Sequence, residues 1–590
     1  MSVAITYFKK SLENHQLEVK KLYKKTTLLS LLRLLVFLIT AIAIYFTFQS
    51  WQIAIVIGLS GISVFIVLLS KYTSVKNKRT LHKALATINE EEIKIASGEF
   101  QHRKTGDQFQ DPKHFYSLDI DLFGKGSFFQ YLNRTSTSEG ELQLANALKA
   151  NNVANIEDRQ DAIKELSTKT EWTQLYAATA SLIKTQTPAP TIIKWLKTHK
   201  TFIPKQMFLA TWLFALLSIT LLALAIFEVI GIGFFGYWIF AGLGITGIYL
   251  KKINDLALNA DKTKDTFRQY ASLLLQIENE TFTSKLLKEK QQKIRSENKK
   301  ASEIFSEFSK HLDALDNRNN LIGALFGNGY LLLDIKNSYN VEQWVLKYAH
   351  KVEDWFEVVS FFDAYNSLGN YAFNHEAYVF PEISNGKSTI KASQLGHPLL
   401  NPKKRVDSDV TIDNQEFFIV TGANMAGKST FLRTISLHIV MANVGLPVCA
   451  KSSIYSPVKL ITSMRTSDSL TDDSSYFFSE LTRLKFIVDA IEKESYFIIL
   501  DEILKGTNST DKAIGSRKFV EKLVAGNATG IIATHDLSLC EISEELEDVK
   551  NYYFDAEIVN DELYFDYKFK QGICQNMNAS FLLKKMQIVD

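Results

Sequence analysis

The 590-residue chain has few cysteines and little net charge. Its three cysteines are Cys449, Cys540 and Cys574, and their spacing is not that of a cysteine-ligated metal site. So few cysteines indicate a reducing compartment. The charged residues, 67 Lys and Arg against 64 Asp and Glu, leave a net charge of +3, too small to argue for nucleic-acid binding. No clear internal repeat or low-complexity tract is present. Function has to be inferred from local motifs.

Long hydrophobic segments are the first such feature, and they occur as two pairs. Residues 28–48 and 51–69 form one pair, and residues 207–227 and 229–250 form the other. Each segment has close to the ~20 residues that a helix needs to cross a bilayer. The alternative is that all of them are buried core helices of a soluble protein. The lengths favour two transmembrane hairpins.

Lysine and arginine residues flank the outer ends of both hydrophobic pairs. By the positive-inside rule these ends lie in the cytoplasm, so both hairpins point outward. A cleaved signal peptide is not expected, because the first hydrophobic segment is long and is followed at once by another. The sequence therefore predicts a multi-pass protein of the cytoplasmic (inner) membrane with its soluble domains in the cytoplasm.

Residues 421–430, TGANMAGKST, have the pattern of a phosphate-binding loop. An apolar strand precedes the loop and a helical pattern follows it, which is the context that such a loop requires. Gly422 and Gly427 allow a tight backbone turn whose N–H groups face phosphate oxygens. Lys428 is expected to reach the β- and γ-phosphates of ATP, and Ser429 to ligate Mg²⁺.

An acidic pair, Asp501 and Glu502, follows the apolar strand at residues 496–500. An aspartate there can hold the Mg²⁺ shell, and Glu502 is placed to polarise the attacking water. Alone, such a pair is more often a solvated strand end, but the preceding phosphate loop favours catalysis. A third strand, residues 530–534, leads to His535, which could sense the γ-phosphate or orient water.

These motifs resemble those of the MutS family of DNA mismatch-repair ATPases. Residues 421–430 resemble the family's TGPNMGGKST, residues 501–509 its DEIGRGTST, and residues 533–535 its ATH switch. The sequence departs from the family where Ala423 replaces Pro and Ala426 replaces Gly. Both glycines of the general phosphate-loop pattern remain, so nucleotide binding is expected to survive. A weaker resemblance extends upstream over the helical part of the chain.

The resemblance implies a multidomain α and α/β protein. Its C-terminal part is a P-loop (ABC-like) ATPase domain, preceded by an all-helical core and lever domain. Of the two transmembrane hairpins that the hydrophobic segments predict, the first precedes this helical domain and the second interrupts it. The expected divisions are a cytoplasmic tail at 1–25, hairpin 1 at 26–71, the first core part at 72–205, hairpin 2 at 206–250, the lever and second core part at 251–390, and the ATPase domain at 391–590.

A shared ATP site also follows from the resemblance. In the family, a hydroxyl of the partner subunit completes each phosphate loop, and Ser475 or its neighbour Ser474 matches that position. We therefore expect a homodimer that uses ATP and Mg²⁺. The predicted catalytic residues are Glu502, Lys428 and His535, the predicted metal ligands are Ser429 and Asp501, and the predicted ATP-binding residues are Gly422, Ala423, Asn424, Met425, Ala426, Gly427, Lys428, Ser429, Thr430 and Ser475.

The predicted function is that of a membrane-anchored MutS-like ATPase coupled to binding of mismatched, damaged or branched DNA. Only about 25 residues precede the first hydrophobic segment, too few for the family's mismatch-reading domain. We therefore expect weak mismatch selectivity, and no nuclease-like extension is expected. One alternative is an ATP-driven machine acting on a protein or membrane partner. Another, a transporter-type ATPase, is disfavoured because no LSGGQ-like signature precedes Asp501.

Overall fold

The computed structural model describes residues 3–183, 187–295, 299–316, 318, 321–465, 476–559, 562–575 and 588. The chain divides into two compact units. The first unit comprises Met1–Ile93, Thr135–Glu141 and Glu171–Ala364, and the second comprises Lys94–Arg134, Leu142–Thr170 and Tyr365–Asp590. Helices dominate the first unit, whereas every strand of the described residues belongs to the second. The predicted class, a multidomain protein with helical and α/β parts, is confirmed at this level.

The helices are as follows. They are α1 (Val3–Thr47), α2 (Trp51–Ala96), α3 (Phe128–Leu132), α4 (Ser138–Lys149), α5 (Ile156–Thr168), α6 (Thr170–Ser181), α7 (Ala189–Thr198), α8 (Gln206–Ile226), α9 (Ile232–Asn279), α10 (Lys285–Gln292), α11 (Ala301–Asp316), α12 (Leu321–Leu331), α13 (Leu333–Asn374), α14 (Lys428–Val444), α15 (Tyr476–Ile491), α16 (Ser509–Ala525) and α17 (Ile542–Glu545).

The strands are all short. They are β1 (Glu382–Ile383), β2 (Ser388–Leu395), β3 (Ser408–Asp413), β4 (Phe417–Gly422), β5 (Ser452–Tyr455), β6 (Lys459–Ser463), β7 (Tyr496–Asp501), β8 (Thr529–Ala533), β9 (Val549–Phe554), β10 (Ala556–Val559), β11 (Glu562–Phe565) and β12 (Lys570–Gln571).

Four helices of the first unit, α1, α2, α8 and α9, are long and apolar enough to cross a membrane by length and composition. In α1 and α2, no residue of the most apolar 18-residue stretch is buried. In α8 and α9, 22% and 11% of the corresponding stretch are buried. Core helices of a soluble protein bury such residues. The breaks between paired helices fall at 48–50 and 227–231, so Gln49 and Glu228 lie in the two turns.

The core of the first unit is an aromatic cluster between α9, α11 and α13. Phe308 stacks on Trp344 with ring centroids 3.7 Å apart. Phe267 of α9 meets Phe308 edge-on at 4.6 Å. All of these rings are buried, and aromatic pairs at such distances add to the free energy gained from burial alone. The cluster packs the C-terminal half of α9, beyond its apolar N-terminal half, against α11 and α13.

The second unit is built on a six-stranded sheet with strand order β12-β9-β4-β8-β7-β6. Its strands are parallel except for the edge strand β12, which pairs antiparallel with β9. All residues of β4 are buried, as expected for a central strand with both faces covered. Because β4, β8 and β7 are neighbours and parallel, their carboxyl ends share one edge. A four-stranded sheet (β1-β5-β2-β3) and the β10-β11 hairpin complete the unit.

Residues 94–134 and 142–170, predicted to lie in the first part of the helical core, belong to the second unit. Specific hydrogen bonds hold them there. The Arg159 guanidinium of α5 donates to the Asn443 carbonyl at 3.0 and 2.7 Å, close to the end of α14. The Asn151 side chain donates to the Leu460 carbonyl at 2.9 Å and accepts from its N–H at 2.8 Å. Asn151 thereby extends the hydrogen bonding of edge strand β6.

Candidate nucleotide-binding site

The phosphate loop connects the end of β4 to the start of α14. Gly422 has φ 148° and Gly427 has φ 108°, values that favour glycine. A Cβ at Gly422 would lie 2.5 Å from the Phe554 carbonyl oxygen, so a side chain has no room there. Ala426 is fully buried and has no positive φ. Alanine therefore fits at this position, where the family has glycine, without backbone strain.

The Lys428 side chain folds back over the loop from which it starts. Its ammonium Nζ donates to the carbonyl oxygens of Gly422 at 2.6 Å and Ala423 at 3.1 Å. Burial lowers the pKa of Lys428, while the nearby carboxylates of Asp501 and Glu502 oppose that change. The loop therefore holds a buried cation at its centre, where a phosphate group would supply the compensating charge.

Ser429 and Asp501 bring two oxygen ligands together at the first turn of α14. The Ser429 hydroxyl donates to Asp501 Oδ2 at 2.8 Å. Burial raises the pKa of Asp501, and the hydrogen bond from Ser429 partly offsets this. No cluster of three or more His, Cys, Asp or Glu side chains suited to a metal occurs in the described part of the chain. One carboxylate and one hydroxyl nevertheless fit Mg²⁺, which takes few protein ligands beside phosphate oxygens and water.

Glu502 occupies an unusual backbone position immediately after β7. It has φ 49°, and its N–H donates to the Ala533 carbonyl of β8 at 2.9 Å. A non-glycine residue in this conformation stores strain, which is typical of functional sites. In this conformation the Glu502 side chain reaches His535 in the loop that follows β8.

The Glu502 carboxylate lies between two cationic or proton-donating groups. Its Oε1 is 3.0 Å from His535 Nε2, and its Oε2 is 3.6 Å from Lys505 Nζ. The hydrogen bond from His535 is the largest influence, and together with Lys505 it lowers the pKa of Glu502 to about 2. Glu502 is therefore a carboxylate at neutral pH and able to accept a proton.

His535 Nε2 also lies 3.2 Å from Lys428 Nζ. A single ring nitrogen cannot accept a hydrogen bond from Lys428 and donate one to Glu502 at the same time. Two carbonyl oxygens already accept from the Lys428 ammonium, so the arrangement favours the tautomer in which Nε2–H donates to Glu502. Through its contacts with Lys428 and Glu502, His535 joins the segments that follow β4, β7 and β8.

The structure thus brings together Lys428, Ser429, Asp501, Glu502 and His535, all of which the sequence singled out. Of the other predicted ATP-binding residues, Asn424 and Met425 in the loop and Thr430 in the first turn of α14 are exposed, and Ala423 is half-buried. The prediction for Ser475, and for its alternative Ser474, lies outside the described residues.

Two polar residues near the site were not assigned a role from sequence. Lys505 lies beside Glu502, with which it forms an ion pair. In the sequence, the signal for this pairing is the position of Lys505 three residues after Glu502 in the DEILKGTNS segment. The buried Glu480 of α15 accepts from the Lys505 N–H at 3.3 Å through Oε1. Its Oε2 is buried and has no hydrogen-bond partner among the residues that the structure describes. The signal for this glutamate in the sequence is its place in residues 475–481, SYFFSEL, which resemble a segment of the MutS family that has a glutamate at the same position.

Comparison with known proteins agrees with this geometry. Residues 418–586 match the sequence profile described as MutS domain V. The chain is 32% identical to the human protein named MutS protein homolog 4 over 213 residues, 34% of this chain and 22% of that protein. It is 28% identical to the DNA mismatch repair protein MutS of Acetivibrio thermocellus over 258 residues, 42% and 28% of the two chains. It is 35% identical to the DNA mismatch repair protein MutS of Fusobacterium nucleatum over 186 residues, which are 30% of this chain and 20% of that protein.

The matched segments are confined to a part of each protein. The chain covers 20–28% of the length of these three relatives. The profile match contains the phosphate loop, the Asp501–Glu502 pair and His535. Together the profile match and these relatives support membership of the MutS family.

Proposed function

We propose that this protein is a MutS-like ATPase that binds and hydrolyses ATP at the loop of residues 421–430. The observation that carries the proposal is the convergence of five polar side chains at the carboxyl ends of β4, β7 and β8. A buried lysine, a serine–aspartate pair and a glutamate–histidine pair meet there. The α14 N-terminus adds its dipole, which favours phosphate binding.

Each side chain of this group has a distinct role in the proposal. Lys428 binds the β- and γ-phosphates. Ser429 and Asp501 would hold Mg²⁺, which when bound offsets the charge of the phosphates. Glu502 accepts a proton from the attacking water. His535 holds the carboxylate of Glu502 in place through the 3.0 Å contact and keeps it ionised.

DNA is the proposed partner, because two of the relatives described above are named DNA mismatch repair proteins. We propose that contacts to DNA phosphates dominate this binding, so that DNA affinity falls steeply with salt. A mismatch should change the affinity by less than the roughly 1–3 kcal/mol that a direct base contact supplies.

We also propose that α1, α2, α8 and α9 cross the cytoplasmic membrane as two hairpins. Their apolar stretches are exposed rather than packed in a protein core, and hydrocarbon is the environment that suits such surfaces. The lysines that flank both hairpins favour cytoplasmic soluble domains. The active unit in this proposal is a homodimer with shared ATP sites.

The apolar helices also favour a second candidate function. An ATPase fixed in a membrane could act on a protein or on the membrane itself, with conformational change as its output. DNA remains the first candidate because of the named activities of the relatives. A transporter role has less support, because hydrophobic side chains fill the four apolar stretches and few polar groups are available for a solute.

The deciding experiment is an ATPase assay on the detergent-solubilised full chain. Hydrolysis is measured without DNA and with homoduplex, mismatched and branched DNA at two salt concentrations, with Lys428→Ala as the inactive control. Stimulation by DNA that weakens with salt supports the DNA-coupled function. Lys428-dependent hydrolysis that no DNA affects supports the second candidate. The absence of any Lys428-dependent hydrolysis would overturn both.

A further inference from the structure

The short helix α12 has an unusually apolar exposed surface. Its 11 residues, LIGALFGNGYL, include no charged side chain. Leu321 is 84% exposed, Ile322 69% and Leu325 44%, and Phe326 is also exposed. Single exposed apolar residues are common on soluble proteins, but a continuous surface of them marks an interaction site.

The opposite side of α12 packs tightly against the second apolar hairpin. A Cβ at Gly242 of α9 would lie 2.3 Å from the Gly329 carbonyl oxygen, so the two backbones are in direct contact. The ring of Tyr330 stacks on Phe235 with centroids 4.6 Å apart. Close contact of small residues is the usual way that membrane helices associate. Gly242 and Phe235 belong to the apolar N-terminal half of α9, so α12 lies beside that half.

Helix α13, which follows α12, also begins beside the apolar part of the second hairpin. Lys336, near the start of α13, has its ammonium 4.3 Å from the ring centroid of Trp212 in α8. One turn later Tyr339 stacks on Phe208 at 5.3 Å. The C-terminal end of α12 is therefore at the level of the apolar stretch of α8.

Charges on both sides of α12 are neutralised locally. Arg318 precedes the helix and Asp334 follows it, and the Arg318 Nε lies 3.2 Å from Asp334 Oδ2 with both side chains mostly buried. The Asp334 N–H is bonded to the Asn328 side chain at 2.8 Å. Paired charges of this kind are the form in which ionisable groups are tolerated next to lipid.

We propose that α12 is embedded in the same lipid layer as α8 and α9, as a third membrane helix of this bundle that does not cross the bilayer. Eleven residues span about 16 Å, roughly half of the ~30 Å hydrocarbon core. The exposed surface of Leu321, Ile322, Leu325 and Phe326 contacts acyl chains. This inference rests on the proposed membrane placement of α8 and α9, to which the α12 surface is continuous.

The test uses an environment-sensitive fluorophore on single introduced cysteines in the full chain, reconstituted into phosphatidylcholine vesicles with or without doxyl-labelled lipids. The native cysteines Cys449, Cys540 and Cys574 are buried, and the unsubstituted chain gives the background labelling. Leu325→Cys reports on α12. The matched control is Leu275→Cys, in the part of α9 remote from the apolar stretch, since Leu275 is 45% exposed and Leu325 44%.

Leu213→Cys provides the reference for the membrane placement of α8, because Leu213 is 58% exposed within its apolar stretch. We expect blue-shifted emission quenched by doxyl lipids at 325 and 213, and neither effect at 275. A label at 325 that behaves as at 275, while 213 is quenched, overturns the inference and leaves the membrane placement intact. Blue-shifted but unquenched emission at 325 means that protein covers α12, which also overturns it. No quenching at 213 refutes the membrane placement itself.

A second labelling position guards against a local folding defect. Ile322→Cys is more exposed than Leu325→Cys and removes less packing. If the Leu325→Cys protein is not monodisperse in detergent, the same outcomes are read at position 322.

Discussion

His535 holds Glu502 through a hydrogen bond that connects two neighbouring strands of the central sheet. The His535 Nε2 and Glu502 Oε1 atoms are 3.0 Å apart. The strands that precede the two residues, β7 and β8, pair in parallel with Asp501 opposite Ala533. The same ring nitrogen lies 3.2 Å from the Lys428 ammonium. A ligand that draws Lys428 towards a phosphate would therefore also change the surroundings of the proposed base.

Lys428→Ala should abolish ATP binding. The substitution removes the buried cation that the Gly422 and Ala423 carbonyls hold in the loop, and with it the point charge that faces the phosphates. Binding of a fluorescent ATP analogue measures the effect. The control is Lys518→Ala on the exposed side of α16, which should bind the analogue as the unsubstituted protein does. Normal binding by Lys428→Ala would refute the assigned role.

Glu502→Gln should bind ATP but fail to hydrolyse it. The substitution leaves Ser429 and Asp501, whose side chains are 2.8 Å apart, unchanged, while an amide cannot accept a proton from water. General-base contributions are typically 10²–10⁴-fold, so kcat should fall by about that factor. Single-turnover hydrolysis and retention of radiolabelled ATP on the protein are the measurements. A wild-type kcat in this variant would show that Glu502 is not the base.

His535→Ala should make hydrolysis sensitive to acid. The hydrogen bond from His535 is the main cause of the lowered pKa of Glu502, about 2, so its loss raises that pKa towards the ordinary ~4.3. The active carboxylate form disappears as pH falls through the pKa. As pH falls from about 5 towards the ordinary ~4.3, kcat should therefore begin to decrease in the variant and stay constant in the unsubstituted protein.

The matched variant His535→Gln keeps an N–H donor at this position. Its acidic limb should lie below that of the alanine variant. Identical profiles for the two variants would mean that the hydrogen bond does not control ionisation of Glu502. The folded state of each variant at pH 5 is checked by circular dichroism, so that a loss of activity is not mistaken for unfolding.

Reporter fusions should place both turns of the apolar hairpins outside the cytoplasm. Gln49 and Glu228 lie in the short connections of α1–α2 and α8–α9, and the lysines at the opposite helix ends favour the cytoplasm. A reporter at the exposed Asn152 should be cytoplasmic. Release of the chain from membranes by alkaline carbonate without detergent, or a cytoplasmic reporter at Gln49, would refute the spanning arrangement.

The sequence was sufficient to single out the five residues that the structure brings together, because each lies in a short local pattern. The loop residues around Lys428 and the acidic pair after β7 follow apolar runs that are typical of buried strands. The Lys428–His535 contact joins residues 107 positions apart. It depends on the β4-β8-β7 strand order, which spacing along the chain does not determine. The left-handed backbone of Glu502 likewise has no sequence signal, because glutamate rarely adopts it.

The place of helix α12 could not be predicted from its length. The sequence predicts a lever and the second part of the helical core over residues 251–390, and 11 apolar residues are too few to indicate a spanning helix. The packing of Gly329 against Gly242 and the stacking of Tyr330 on Phe235 show that this segment lies beside the second hairpin. The sequence likewise predicts that residues 142–170 lie in the helical core, whereas they belong to the second unit. No local pattern indicates that Arg159 donates a hydrogen bond to the end of α14.

The last prediction is that two inactive chains can restore ATP hydrolysis when they form a mixed dimer. If a partner hydroxyl at Ser475 completes each loop, Lys428→Ala and Ser475→Ala chains together give one site with both lesions and one with neither. Closure by a partner's donors stabilises transition-state charge, and membrane confinement raises the effective concentration of the subunits. Co-expressed, differently tagged chains are purified by both tags, and their ATPase activity should exceed that of either single-variant dimer. Mixed dimers that form but remain inactive would show that the sites are not shared.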